Sequence, residues 1–273
     1  MAGLASQHAL TASTGTLLTT AATLDEAALA AVAGDFAGAA AVLAGQPHLR
    51  RMLTETTVSG EAKANLVRRL FDGKIGATSL TLLASVAKNQ WSTGTDLVDG
   101  LRRLSRTALF LEAERAGELD DVEDELFRFG RIIDAHPEIS VILDDPAVSA
   151  TARADLVSRL LAGKAHPLTT ELLTSLARDL GGRTFGHGVA ELVEQAAERR
   201  DKLVAIVTSP VALSAAETGR LRVALTRIYS REIAVHVLVD PALRGGLTVR
   251  VGDEVIDGSV SGRLDAVRAR LTR

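Results

Sequence analysis

At 273 residues the chain has room for about two domains, and 47% hydrophobic residues are enough for real cores. A balance of 31 Lys and Arg against 34 Asp and Glu gives a net charge of −3, and aromatics make up only 3%. These values exclude a chain-wide basic field for nucleic acid or anionic lipid and leave little for base stacking, while the absence of cysteine rules out disulfides, thiolate metal sites and a cysteine nucleophile.

The opening stretch, MAGLASQHALTASTGTLLTT, lacks a basic n-region and an unbroken apolar core. No later stretch is expected to reach the about 18 apolar residues of a membrane span. Through roughly residue 200 the chain reads as successive helices, with apolar residues three and four apart and Gly, Pro and Asp where caps belong. Within this region LTETTVSGEAKANLVRRLFDGK (53–74) matches LDDPAVSATARADLVSRLLAGK (143–164) at a shift of 90 residues with no gap. The matches include Ser59 with Ser149, Ala64 with Ala154, Val67 with Val157, Gly73 with Gly163 and Lys74 with Lys164, and the register continues through Leu82/Leu172 and Leu83/Leu173. Two units of one helical design follow, residues 1–104 and 105–200. Each serine suits an N-cap and each glycine a left-handed C-terminal cap; Leu66, Val67 and Leu70, or Leu156, Val157 and Leu160, form the expected apolar face.

Between the units Leu97, Leu101, Leu104, Ala108 and Leu111 repeat without a proline, which predicts one long helix over about 92–116. LDDVEDELFRFGRIIDAHPE then places Leu119, Val122, Leu126, Phe129 and Ile133 on one helical face, with acids first and Arg128 and Arg131 later, the order that favours the helix dipole. Pro137 marks its end.

After AAERRDK the pattern changes. LVAIVTS (203–209) and IAVHVLVD (233–240) have strand character, and SAAETGRLRVALTRIYS (214–230) is an amphipathic helix with Leu221, Leu225 and Ile228 on one side. Leu247, Val249 and Val251 alternate with Thr248 and Arg250, Gly252-Asp253 makes a two-residue hairpin turn, and Val249 falls opposite Ile256. Gly245 and Gly246 allow a bulge or close backbone approach before that strand. Asp257, Gly258 and Ser259 end the hairpin and cap a last helix carrying Val260, Leu264, Val267 and Leu271 on one side. The fold class is therefore mainly α: two tandem helical bundles, then a small α/β domain with a β-hairpin over 201–273. That domain has 11 Lys and Arg against 8 Asp and Glu, so the helical part carries the opposite excess.

No chemical site assembles. G-x-G-x-x-G and G-x-x-x-x-G-K-[ST] are both absent, and GSVSG has Val260 where a hydrolase elbow needs serine. Hairpin alternation separates Asp253, Glu254 and Asp257, the six histidines are scattered, and Trp91 and Tyr229 read as packing or interface anchors. No catalytic residue, metal or cofactor is expected.

The string VDPALRGGLTVRVGDEVIDGSVSGRLDAVRARL, preceded by LVAIVTSPVALSAAETGRLRVAL, resembles the delta subunit family of F-type ATP synthases, the bacterial equivalent of the oligomycin-sensitivity-conferring protein. GG at 245–246, GDEVIDGS at 252–259 and the final amphipathic helix carry the likeness, which covers 105–273; residues 1–104 look like the extended actinobacterial form, some of whose members follow a membrane-anchored b-type segment. The resemblance implies a non-catalytic peripheral-stalk protein at the cytoplasmic face of the membrane. It would hold the amphipathic N-terminal helix of an alpha subunit in an apolar groove, with the C-terminal domain on the end of a b subunit. Carried onto this sequence, the groove lies between the helix of Leu109 and the helix of Leu172, Leu173 and Leu176, and Leu264, Val267 and Leu271 face the b subunit. The extra bundle would offer a second groove or lengthen the stalk. A free-standing helical adaptor for another partner is the alternative.

Overall fold

A computed structural model of the chain describes residues 3–201, 203–229, 233–241, 243, 245–251 and 254–258. The chain divides into two compact units. The first comprises residues up to Leu17 and Leu24–Ala197; the second comprises Leu18–Thr23 and the chain from Glu198 on.

The first unit is built from α1 (Leu4–Ala21), α2 (Glu26–Ala44), α3 (Pro47–Thr54), α4 (Gly60–Phe71), α5 (Ala77–Lys88), α6 (Gly94–Ala116), α7 (Leu119–Ala135), α8 (Pro137–Asp144), α9 (Ala150–Leu161), α10 (Pro167–Arg178) and α11 (Phe185–Asp201). The helices α3, α4 and α5 start and stop 90 residues before α8, α9 and α10. Because α1 and α6 also start 90 residues apart, α6 ends one set of six helices and begins the next. The boundary between residues 104 and 105 falls inside it.

Local chemistry explains the repeated bounds. Ser59 Oγ accepts from Ala62 N at 3.3 Å and Ser149 Oγ from Ala152 N at 3.2 Å, so both helices start on the same cap. Gly73 and Gly163 follow the two helices at φ 69° and 68°, a left-handed backbone that a side chain would strain. The inward register differs from the expected one. Ala64, Val67 and Phe71, and likewise Ala154, Val157 and Leu161, are the buried apolar positions, whereas Leu66, Leu70 and Leu156 are only partly buried and Leu160 is exposed. Phe71 and Leu161, the last helical residues, turn inward just before the glycine and take the place assigned to Leu70 and Leu160.

The joining helix α6 buries Leu97, Leu101, Leu104 and Ala108, and all five apolar positions predicted on α7 are buried. Pro137 lies in the first turn of α8, where its missing N–H costs no helical bond. One hydrophobic core runs from α1 to α11 through the shared helix.

One expectation needs correction: α2 is long and apolar enough to cross a membrane by length and composition. In this unit it is a core helix. Asp25 Oδ1 caps it by accepting from Ala28 N at 2.8 Å, and Leu29, Val32, Phe36, Ala40 and Leu43 are among its buried residues. Alanine and glycine supply most of its apolar count, so the stretch lacks the run of large side chains that marks a hydrophobic block.

The second unit holds β1 (Leu203–Ser209), α12 (Ala215–Tyr229), β2 (Ile233–Val239), β3 (Thr248–Val251) and β4 (Glu254–Asp257). Its sheet order is β2-β1-β3-β4, with β1 parallel to β2 across α12 and the other pairs antiparallel. Val249 pairs with Ile256, as the hairpin spacing requires. Ala205, Val207, Leu225, Ile233, Val249 and Val251 form the core, with Leu221 and Tyr229 against it. Ile228 is 64% exposed, contrary to its expected inward position: Leu221, Leu225 and Tyr229 at i, i+4 and i+8 form the packed stripe. Gly258 N–H donates to Leu247 O at 2.9 Å, and a Cβ there would lie 3.0 Å from that oxygen, so the backbones meet where the glycine motif sits. Gly252, Asp253, Ser259 and the proposed last helix with Leu264, Val267 and Leu271 lie outside the described residues.

Candidate partner-binding groove

Two helices flank α6. On one side α2 packs against it, with Ser105 Oγ donating to the Ala33 carbonyl at 2.8 Å. On the other, Arg102 reaches the end of α10, where Nε and Nη2 each donate to an Asp179 carboxylate oxygen at 2.8 Å. Between α2 and α10 runs a groove of about 490 Å³, lined on one wall by Gly34, Ala37, Gly38 and Ala41 and on the other by Glu171, Ser175, Leu176 and Asp179, with Ser105 and Arg106 on the floor. No heavy atom lies within 4 Å of where a Cβ would stand on Gly34 or Gly38, so this wall is open backbone.

The ends of the groove differ in charge. Near Asp179, Arg102 Nη1 also donates to Asp99 at 2.7 Å, Arg183 bridges Asp99 and Glu191 at 3.1 and 3.0 Å, and Arg106 meets Glu191 at 3.3 Å. Burial pulls the Arg102 guanidinium down, but its bonds to Asp179 and Asp99 outweigh this and its pKa is raised; for Arg106 burial prevails and the pKa is lowered. These ions are mutually satisfied and tie α10 and α11 to the shared helix.

At the other end Glu171 lines the α10 wall, and one acid beside it lacks a partner. Glu112 stands two turns along α6 from Ser105, and its Oε2 is buried without a hydrogen-bond partner. Burial raises its carboxyl above the ordinary carboxylate range, and Glu26, Glu118 and Glu171 push it further the same way. His166 caps α10, with Nδ1 accepting from Leu168 N at 3.3 Å and Nε2 3.0 Å from Glu118 Oε2. Among the described residues no group of three or more His, Asp or Glu is placed to hold a metal ion.

An apolar groove flanked by charge has the form of a protein-docking surface. A family model described as ATP synthase delta (OSCP) subunit matches residues 106–271. The chain belongs to this family. Curated relatives named ATP synthase subunit delta include one from Streptomyces griseus, 43% identical over 242 residues and covering 89% of each chain. Another, from Acidothermus cellulolyticus, is 46% identical over 231 residues, covering 85% of this chain and 84% of the relative. A third, from Salinispora tropica, is 41% identical over 249 residues, covering 91% of each. Alignments of this length cannot fit within 106–273, so these actinobacterial delta subunits share much of the N-terminal extension. Membership of the family makes the chain a component of the multi-subunit, membrane-associated ATP synthase complex.

Within this delta family member the residues singled out from sequence are placed unequally. Leu109, Leu172 and Leu173 are buried in the helical core, and Leu176, 2% exposed, alone among them borders the groove. Leu176 is wedged against Gly188, where a Cβ would come within 2.4 Å of its Cδ1. Periodicity locates an apolar face but not what covers it, so residues that build the walls looked like residues that line the surface. The α2 wall, Glu112 and the Arg102–Asp179 pair were missed. Gly34 and Gly38, one turn apart in an alanine-rich helix, were the available signal.

Proposed function

We propose that the chain is a non-catalytic peripheral-stalk subunit of a proton-translocating F-type ATP synthase. It connects the N-terminal helix of an alpha subunit in the catalytic head to a membrane-anchored b subunit at the cytoplasmic face, and so resists rotor torque. The observation that carries the reading is the groove over α6 beside α10, in a chain whose family is that of the delta subunit. A stator element must receive a partner helix and transmit force without yielding. The shared helix α6 and the ionic ties from Arg102, Arg106 and Arg183 supply that stiffness to the helical unit. Contact with the b subunit is assigned to the C-terminal domain through Leu264, Val267 and Leu271, with Arg263, Arg268 and Arg270 beside them for an acidic or amphipathic end.

Titration of the purified chain with the alpha subunit's N-terminal segment tests the reading, followed by calorimetry and circular dichroism. Saturable binding with a gain of helix is the expected result. A folded chain that binds no such segment would remove the assignment of this groove to the alpha subunit.

A further inference from the structure

We propose that the N-terminal extension forms the second jaw of this same groove: one partner helix is clasped between α2 and α10, small side chains against α2 and a basic residue at the Glu112 end. The inference rests on the stator reading and concerns how that site holds its helix.

The first ground is α2 itself. It is apolar enough to span a membrane, yet only 39% of that stretch is buried within the molecule. The uncovered part is ordered. Ala27, Ala31, Gly34, Gly38 and Ala41 are exposed and step by 4, 3, 4 and 3, which puts them in one stripe along the helix. With nothing within 4 Å of the missing Cβ atoms of Gly34 and Gly38, a second helix can approach this backbone closely.

The second ground is charge. The stripe carries none, so orientation must come from the groove's ends, where the guanidinium cluster around Arg102 is already satisfied by Asp99 and Asp179. At the opposite end Glu171 of α10 lines the groove, and beside it Glu112 of α6 has a buried oxygen without a hydrogen-bond donor, with Glu26 of α2 acting on the same carboxyl. A lysine or arginine of the partner would supply the missing donor and offset part of the repulsion among the three. The extension therefore adds no second binding site; it completes the first.

The test uses the full chain and the alpha N-terminal peptide. Gly34→Leu and Gly38→Leu enter open space on a helix that favours leucine over glycine, so the folded state survives. Wild type should bind one peptide per chain, and the double variant should bind about tenfold more weakly. Equal affinity for the two would overturn the clasp and leave the stator reading standing, whereas a wild-type chain that binds no peptide removes the assignment of this groove to the alpha subunit and the clasp with it. Glu112→Gln should weaken binding and flatten its salt dependence, as should replacing the peptide's basic residues by glutamine; an unchanged salt dependence in both would overturn the assigned orientation.

Discussion

The two helical repeats solve one folding problem with different side chains. Their caps superpose in sequence, Ser59 on Ser149 and Gly73 on Gly163, and fix identical helix bounds. Where a cation is buried they part. Lys63 is buried and burial drags its amine below the ordinary lysine value, with Glu55 opposing, while the matching Arg153 donates from Nε to the Ala177 carbonyl at 3.1 Å. The segments after α5 and α10 part further. The first is closed by Trp91, buried over Gly100 with Nε1 donating to Val86 O at 3.0 Å. The second is closed by Asp179 and Arg183 in the ionic network around Arg102. Punctuation decides the fold and is kept in both halves; the positions between are free to become an apolar plug in one and an ionic tie in the other.

The shared helix gives the strongest test. Phe110 is fully buried in α6, within the one core that runs through both repeats, so Phe110→Ala should cost about 3 to 5 kcal/mol. Trp91, the only tryptophan, reports on the first repeat, and ellipticity reports on all the helices. The two thermal transitions should coincide in wild type and move down together in the variant. A fluorescence transition well below the ellipticity transition would show that the repeats unfold separately and would break the comparison.

Next in size is the plug found only in the first repeat. A Cβ on Gly100 would lie 2.4 Å from Trp91 Cη2, so Gly100→Ala forces the ring to move. The expected loss is about 1 to 3 kcal/mol, accompanied by a red-shifted tryptophan emission. An unshifted spectrum with unchanged stability would mean that the ring is not held by that contact.

Removal of the equivalent caps should be smaller and, more usefully, equal. Ser59→Ala and Ser149→Ala each delete one side-chain acceptor at the same backbone geometry, φ −63° and −64°, and each should cost about 1 kcal/mol in denaturant unfolding. A difference of more than about 1 kcal/mol between them would mean that the cap is not the interaction shared by the repeats.

Much of this architecture was legible because its signals are local. The five-residue face of α7, the long α6, the 90-residue repeat and the Val249–Ile256 pairing all follow from spacing, and spacing survives folding. The groove was not legible for the opposite reason. Its α2 wall comes from residues about 140 positions before its α10 wall, and its defining property is what fails to cover Gly34 and Gly38, which periodicity does not encode. Ile228 was misplaced more simply, since it sits one residue before Tyr229, which completes the packed stripe.

The smallest effect concerns the acidic end, which has no counterpart among the mutually satisfied ions at the other end of the groove. Glu112 has a folded-state pKa raised by burial and by Glu26, Glu118 and Glu171, so between its unfolded value and the raised one the folded chain holds more proton than the unfolded chain. Stability from this group therefore falls as pH rises through that window, and the penalty is fully present above it. Glu112→Gln removes the charge and keeps the shape, so the variant should be slightly more stable than wild type near neutrality. The two should converge as the pH is lowered through the carboxylate range, as read by denaturant midpoints. A variant less stable than wild type at neutral pH would mean that Glu112 is satisfied inside the free chain, and the unmet oxygen would no longer argue for a partner's cation.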